Sequence, residues 1–339
     1  MRTNLLKLFL LFLTGTISAN IKAQTDWANV YCYDSAFNVQ SIVNKNDTLY
    51  SASYSPAVFS MSTNGGATWT ALNNLKLYSY PSKLLVFDDV IYNYEAGLYI
   101  GMIIKLLKYT NNTWVEDTVG LQGNSPQRLT VAGERLYTYT VYPNNKVYTK
   151  TSHNSSWTKV LGFEAINGAK PMFSKKGNTY YAILYKVFDK KTLVWTSTDG
   201  INYTQISTAG LPPDDPHMFI THNNCQYINY FKDTKRPAIY KSCDNGANWS
   251  DVSPFKNPDA TLCNVLFTDS NRLYAVGNIY NYINNIFSVY YTSDNGLTWN
   301  DITDTSAALA PNYYITDIAK FDTTLLVSHG KIGNDTSVK

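Results

Sequence analysis

"SCDNGANW" (residues 242–249) puts an alcohol, a carboxylate, a glycine and a tryptophan within one short loop. Near-copies stand at "STNGGATW" (62–69) and "TSDNGLTW" (292–299), with a shortened "STDGINYT" (197–204). Two decayed copies read "KYTNNTW" (108–114) and "KTSHNSSW" (150–157). An Asp in such a loop accepts hydrogen bonds from the amides of its own turn, and the Gly supplies a positive φ without steric cost. The closing ring is a large apolar surface that needs burial. Aligned on that ring, Trp69, Trp114, Trp157, Tyr203, Trp249 and Trp299 are separated by 45, 43, 46, 46 and 50 residues. The chain is a repeat.

A second family of segments has the same period. "NDTLY" (46–50), "DDVIY" (88–92), "GERLY" (133–137), "GNTYY" (177–181), "NNCQY" (223–227), "SNRLY" (270–274) and "DTTLL" (322–326) each place a tight turn before a strand. A third element, such as "VFSMS" (58–62) or "IYKSC" (239–243), precedes most of the turn boxes. Four strands in roughly 45 residues is the period of a β-propeller blade. The fold class is therefore all-β, a propeller of four-stranded blades. Seven hairpins stand against six boxes, and "TDWANVY" (25–31) resembles the outer strands, with Trp27 42 residues before Trp69. The expectation is a seven-bladed ring closed by this N-terminal outer strand, its last inner strands coming from about 313–339. Six blades is the alternative.

The box pattern resembles the Asp-box, or BNR repeat, of sialidase-like, sortilin-like and photosystem-assembly-factor-like propellers. Its positions here are Ser62, Asn64, Gly66 and Trp69; Ser197, Asp199, Gly200 and Tyr203; Ser242, Asp244, Gly246 and Trp249; Thr292, Asp294, Gly296 and Trp299. The resemblance implies a structural role. It places each box in the hairpin between the third and fourth strands, on the rim away from the ligand-binding centre.

Residues 1–23 read as a secretory signal peptide: Arg2, an apolar "LLKLFLLFL" (5–13) and a cleavage point after Ala23. Residues 24–339 read as a single propeller domain, exported to the periplasm, the surface or the medium. No later apolar run is long enough to suggest a membrane span. A net charge of +3, with scattered Lys and Arg, does not point to nucleic acid. The cysteines Cys32, Cys225, Cys243 and Cys263 lack zinc-site spacing and read as disulfide or structural thiols. Cys225 and Cys243 fall on neighbouring strands of one blade and form a candidate disulfide. The 28 tyrosines read mostly as fill for half-exposed sheet faces, with some in "YNYEAGLY" (92–99) and "NIYNYINNIF" (278–287) expected to line the central funnel.

Sialidase chemistry needs three arginines around a carboxylate, and the mature chain has only Arg128, Arg135, Arg236 and Arg272. Arg135 and Arg272 occupy a hairpin turn position, Arg236 lies on a long hairpin, and only Arg128 starts an inner strand. The F/Y-R-I-P segment is not found. Other glycosidases need two facing carboxylates; the candidates are Glu95, Glu164 and Asp317. His217 and His222 lie five apart, an odd offset that sends their rings to opposite faces of a strand. No metal site, catalytic residue or cofactor is assigned. The reading is a monomeric, non-catalytic secreted propeller that binds a glycan, peptide or protein through its central face. The alternatives are a divergent extracellular glycoside hydrolase and an assembly or stability factor for an exported complex.

Overall fold

The computed structural model describes residues 39–53, 58–72, 80–96, 105–121, 124–142, 146–163, 171–186, 189–231, 238–255, 262–280, 285–303 and 313–331. All of the regular structure there is β. The first blade comprises β1 (Val39–Lys45), β2 (Thr48–Ser53), β3 (Val58–Ser62) and β4 (Thr70–Ala71). The second comprises β5 (Tyr80–Phe87), β6 (Val90–Ala96), β7 (Leu106–Thr110) and β8 (Thr113–Glu116). The third holds β9 (Asn124–Ala132), β10 (Arg135–Tyr142), β11 (Lys146–Lys150) and β12 (Thr158–Lys159). The fourth holds β13 (Met172–Lys176), β14 (Thr179–Lys186), β15 (Lys191–Ser197) and β16 (Thr204–Ile206). The fifth is β17 (Asp215–His222), β18 (Cys225–Phe231), β19 (Ala238–Ser242) and β20 (Ser250–Asp251). The sixth is β21 (Leu262–Thr268), β22 (Leu273–Tyr280), β23 (Asn285–Thr292) and β24 (Asn300–Asp301). A two-stranded sheet, β25 (Tyr313–Phe321) and β26 (Thr324–Lys331), completes the series.

This corrects the expected blade count: the described residues form six four-stranded blades, not seven. The seventh repeat contributes only a hairpin, because its partner strands were expected from residues 25–31 and from beyond Lys331, outside the described residues. The hairpin stands between the sixth and first blades, with β25 packed against both β21 and β1. The first strands of all the sheets thus form one ring around a central channel.

Local chemistry sets the hairpins. Asn46 and Asp47, Asp88 and Asp89, and Asn223 and Asn224 each hold two successive positive φ angles, the signature of a type I′ turn. The decayed box at 108–114 has become the same turn, with Asn111 and Asn112 at φ 51° and 58°.

The core is divided among the interfaces between neighbouring sheets rather than gathered in one place. Each of six interfaces is wedged by a box aromatic, which packs against the preceding blade. Trp249, for example, lies with Tyr181, Ile183 and Val194 of the fourth blade and Ile228 of its own. Tyr203, Trp299, Trp157, Trp69 and Trp114 hold the corresponding places elsewhere. The hairpin tyrosines belong to these interfaces too. Tyr92, Tyr137 and Tyr227 are fully buried, which corrects the expectation of half-exposed sheet-face rings.

A further device joins the second to fifth blades. The loop leaving an outer strand lies alongside the next blade's box and forms parallel bridges at Leu161 with Asn202 and at Ala209 with Asn248. Ala209 N donates to Ala247 O at 2.9 Å, and Trp249 N donates to Ala209 O at 3.0 Å. The following residue, Gly210, has φ +82° and lies so near the Trp249 carbonyl that a Cβ there would come within 3.0 Å of it. Gly120 and Gly162 hold the same place against Trp157 and Tyr203.

Candidate functional site

The box side chains form closed polar circuits on the rim. Ser242 Oγ donates to Asp244 Oδ1 at 2.8 Å and accepts from Gly246 N at 3.0 Å. Asp244 also accepts from Asn248 N and Nδ2 at 3.0 and 2.8 Å. Those two Asn248 bonds, with the Ser242 hydroxyl, draw the Asp244 carboxyl down to about 2. Thr292, Asp294 and Gly296 repeat the circuit, and Thr298 draws Asp294 down to about 2. Ser197, Asp199 and Gly200 do so in the shortened copy, where Asn202 lowers the carboxyl further. In the first copy Asn64 takes the acid's place, accepting from Ser62 Oγ and Thr68 N, each at 2.9 Å. Each carboxylate is consumed by its own turn. Cys225 and Cys243 are joined by a disulfide, with Cα atoms 4.2 Å apart, which ties this box to the β17–β18 hairpin.

The decayed box at 150–157 is rebuilt with other chemistry. Lys150 replaces the box alcohol, is fully buried, and donates to Asp117 of the preceding blade at 3.1 and 2.8 Å. Burial pulls the Lys150 pKa down, and the Asp117 carboxylate opposes that shift. Trp157 Nε1 donates to Asp117 O at 2.9 Å, so the same residue anchors both wedge and cation.

The central channel has a different character. Register shifts interrupt the innermost strands at Gln40, Ser82, Arg128–Leu129, His217, Asn264 and Thr316. Such bulges re-aim side chains and break the ladder locally. Polar groups on the second strand repair the break: Thr138 Oγ1 donates to Gln127 O at 2.7 Å, and Asn229 Oδ1 accepts from Met218 N at 2.5 Å. Two cations reach across the ring to blades two places away. Lys83 Nζ lies 3.9 Å from Asp317 Oδ1, and Arg128 Nη2 donates to the main-chain oxygen of His217. Arg128 has φ +30°, and it alone among the described residues combines a side chain, a positive φ and a place within a strand.

Asp317 is the one carboxylate of the three sequence candidates whose side chain is described. It is buried and accepts from Ser41 Oγ at 2.6 Å, Ile42 N at 3.4 Å and Ile318 N at 3.0 Å. Ser41 Oγ in turn accepts from Leu84 N at 3.0 Å, so Asp317 fastens three neighbouring sheets at the channel wall. Glu164 lies outside the described residues, and Glu95 falls in β6 with its side chain outside them. Arg236 also lies outside them. Arg135 sits on the rim over Tyr180, and Arg272 stacks 4.5 Å from the centre of the Tyr291 ring. The Arg128 side chain therefore stands apart from both. Tyr180 donates to Glu134, the residue pair of a sialidase nucleophile, but Tyr180 is buried and its pKa is raised by that burial. His217 is exposed on the channel side, whereas His222 is buried and its pKa is lowered by burial. Among the described residues no three metal-binding side chains gather.

Arg128 is legible in the sequence only as the start of an inner strand, with no role assigned to it, and Lys83, Ser41 and the Lys150–Asp117 pair are not legible there at all. Bulges carry no signal in a period-two pattern, and a cross-ring contact joins residues with no fixed spacing.

No family model matches the chain, and no curated protein matches it. Solved structures do. The chain is similar to YCF48 in a structure of "YCF48 bound to D1 peptide", with TM-score 0.60 and 15% identity over 90% of this chain and 95% of that one. It is also similar to the extracellular domain of BT4673 from B. thetaiotaomicron, with TM-score 0.60 and 12% identity over 89% of this chain and 38% of that one. The fold defines a β-propeller. At these identities the likeness extends to the fold alone.

Proposed function

We propose that this protein is a non-catalytic Asp-box propeller that holds a peptide or protein segment bearing an anionic group over its central channel. The observation that carries this reading is Arg128: a half-exposed guanidinium in the channel wall, without a carboxylate partner among the described residues. Lys83 adds a second charge, and Asp317, the carboxylate near it among the described residues, already accepts three hydrogen bonds. A guanidinium with spare donors suits a carboxylate ligand. The YCF48 neighbour, solved bound to a peptide, favours a protein segment over a glycan. Hydrolysis has less support, since Asp317 is engaged in fastening the ring. Export through the signal peptide at 1–23, with action outside the cytoplasm, completes the proposal, and an assembly role for an exported complex is one form of it.

A displayed random-peptide library panned on residues 24–339 tests it. Enrichment of acidic peptides is expected, with Arg128→Gln weakening them about 10–100-fold, the value of a charge-assisted hydrogen bond. Turnover of aryl glycosides, or a glycan-array signal with no peptide bound, would refute it.

A further inference from the structure

Three Asn-Gly pairs lie in described turn boxes: Asn64-Gly65, Asn245-Gly246 and Asn295-Gly296. The last two follow the box acids Asp244 and Asp294, whereas in the first box the asparagine itself stands in the acid's place. A glycine has no Cβ to shield its nitrogen, so that nitrogen can close on the Cγ of a preceding asparagine. The register of each box decides which glycine nitrogen is available. Gly246 N donates to Ser242 Oγ at 3.0 Å, and Gly296 N to Thr292 Oγ1 at 2.8 Å. In the first box Gly66 N makes that bond, at 2.9 Å, and Gly65 N has no hydrogen-bond acceptor among the described residues.

The Asn64 amide is also arranged as an electrophile. Its Oδ1 accepts from Ser62 Oγ and Thr68 N, each at 2.9 Å, and this oxygen gains charge when Cγ is attacked. The side chain is exposed, so water reaches it. The surroundings suit a carboxylate. Asp294 Oδ1 accepts the same pair of bonds, from Thr292 Oγ1 and Thr298 N at 2.7 and 2.9 Å, and its Oδ2 accepts from Thr298 Oγ1 at 2.5 Å. Asn64 Nδ2 donates to Thr68 Oγ1 at 2.8 Å, so exchanging that nitrogen for oxygen asks only the Thr68 hydroxyl to turn. Bonds to the resulting anion are stronger than those to the amide.

We infer that Asn64 is a modification site, where the folded chain converts its own asparagine to aspartate and completes the first box. Gly65 N gives up its proton to solvent and bonds to Asn64 Cγ, and Nδ2 takes a proton from solvent and leaves as ammonia. Water then adds to Cγ of the cyclic imide, the Cγ–N bond breaks, and Gly65 N recovers a proton. The sum is amide plus water to carboxylate plus ammonium, with nothing oxidised or reduced. Ser62 and Thr68 polarise Cγ and not the main-chain carbonyl, so they direct the water to Cγ and preserve the ordinary peptide linkage. The added charge falls where the ring closes: Gly65 lies against the Phe321 ring, and Trp69 of the same box wedges the first blade against the β25–β26 hairpin. The inference is independent of what the channel binds.

Incubating the purified folded chain at mildly alkaline pH, with peptide mapping of all three sites, tests it. Asn64 should convert about tenfold faster than Asn245 or Asn295, whose glycine nitrogens must first give up a hydrogen bond. The product at 64 should be mainly aspartate, read by its resistance to an isoaspartate-specific methyltransferase. The same chain unfolded in urea should convert the three sites at similar rates and yield mainly isoaspartate. Asn64→Asp, which installs the product directly, should raise the melting temperature at neutral pH. Equal rates at the three sites of the folded chain, mainly isoaspartate at 64, or a lower melting temperature for Asn64→Asp would overturn it.

Discussion

Replacing Gly210 with alanine tests whether the blades are latched through their backbones or only through their aromatic wedges. Gly210 sits at φ +82°, and an added methyl would meet the Trp249 carbonyl. The left-handed conformation alone costs an L-residue about 1–2 kcal/mol. The methyl also forces the loop off the neighbouring hairpin, which breaks the Ala209 N to Ala247 O and Trp249 N to Ala209 O bonds. At about 1 kcal/mol each, the total comes to about 3–4 kcal/mol. Gly177 supplies the control, with φ +56° and nothing within 4 Å of an added Cβ. Gly177→Ala should therefore lose only the conformational term, about 1–2 kcal/mol. Urea unfolding followed by tryptophan fluorescence reads both, provided the m-value is unchanged. Equal losses for the two variants would refute the latch, leaving glycine's φ as the whole effect.

Trp249→Ala should cost about 3–5 kcal/mol, as for other buried aromatic truncations, while the folded protein binds its ligand unchanged; loss of binding without loss of stability would refute the rim assignment. Asp117→Ala strands the buried Lys150 ammonium and should cost about 3–5 kcal/mol, whereas Asp117→Leu combined with Lys150→Met should restore most of it. Asp244, Asp294 and Glu134 are each lowered to about 2, below the unfolded range near 4. Their stabilisation is complete above the unfolded value and lost as pH falls from about 4 towards 2. Melting temperature should drop across that window, and less steeply in Asp244→Asn; an identical slope would count against the carboxylate circuit.

The sequence made the repeat, the hairpins and the wedge rings legible because each depends on local chemistry recurring at a fixed spacing. Asn-Asp and Asn-Asn turns and the Ser-x-Asp-x-Gly strings specify their own geometry within a few residues. What stayed hidden depends on meetings across the ring. Asp117 and Lys150 replace a lost turn box only because adjacent blades bring them together. Gly210 reads as an ordinary loop glycine until the next blade's carbonyl is placed beside it. The blade count failed for a related reason: seven hairpins promised seven equal sheets, but the last hairpin carries no third and fourth strand among the described residues.

The rim and the channel treat charge in opposite ways. On the rim three lysines have a structural errand: Lys176 donates to Cys243 O and Asn245 Oδ1, Lys241 to Asn295 O, and Lys108 to His153 O, each closing the next blade's turn. The channel arginine closes no turn, and its backbone stands at φ +30° inside a strand, where an L-residue is strained. Every other described positive-φ residue with a side chain is an Asn, an Asp or a Lys outside the strands, where that conformation is cheap or the chain is turning. Local strain of this kind persists only where the surrounding structure over-determines it, and it concentrates at ligand sites. A bulge that strains an arginine in order to aim it across the ring contributes little to folding that a glycine could not. The guanidinium is what distinguishes that position, which is why the search for a ligand belongs at Arg128 and not at the boxes that first make the fold visible.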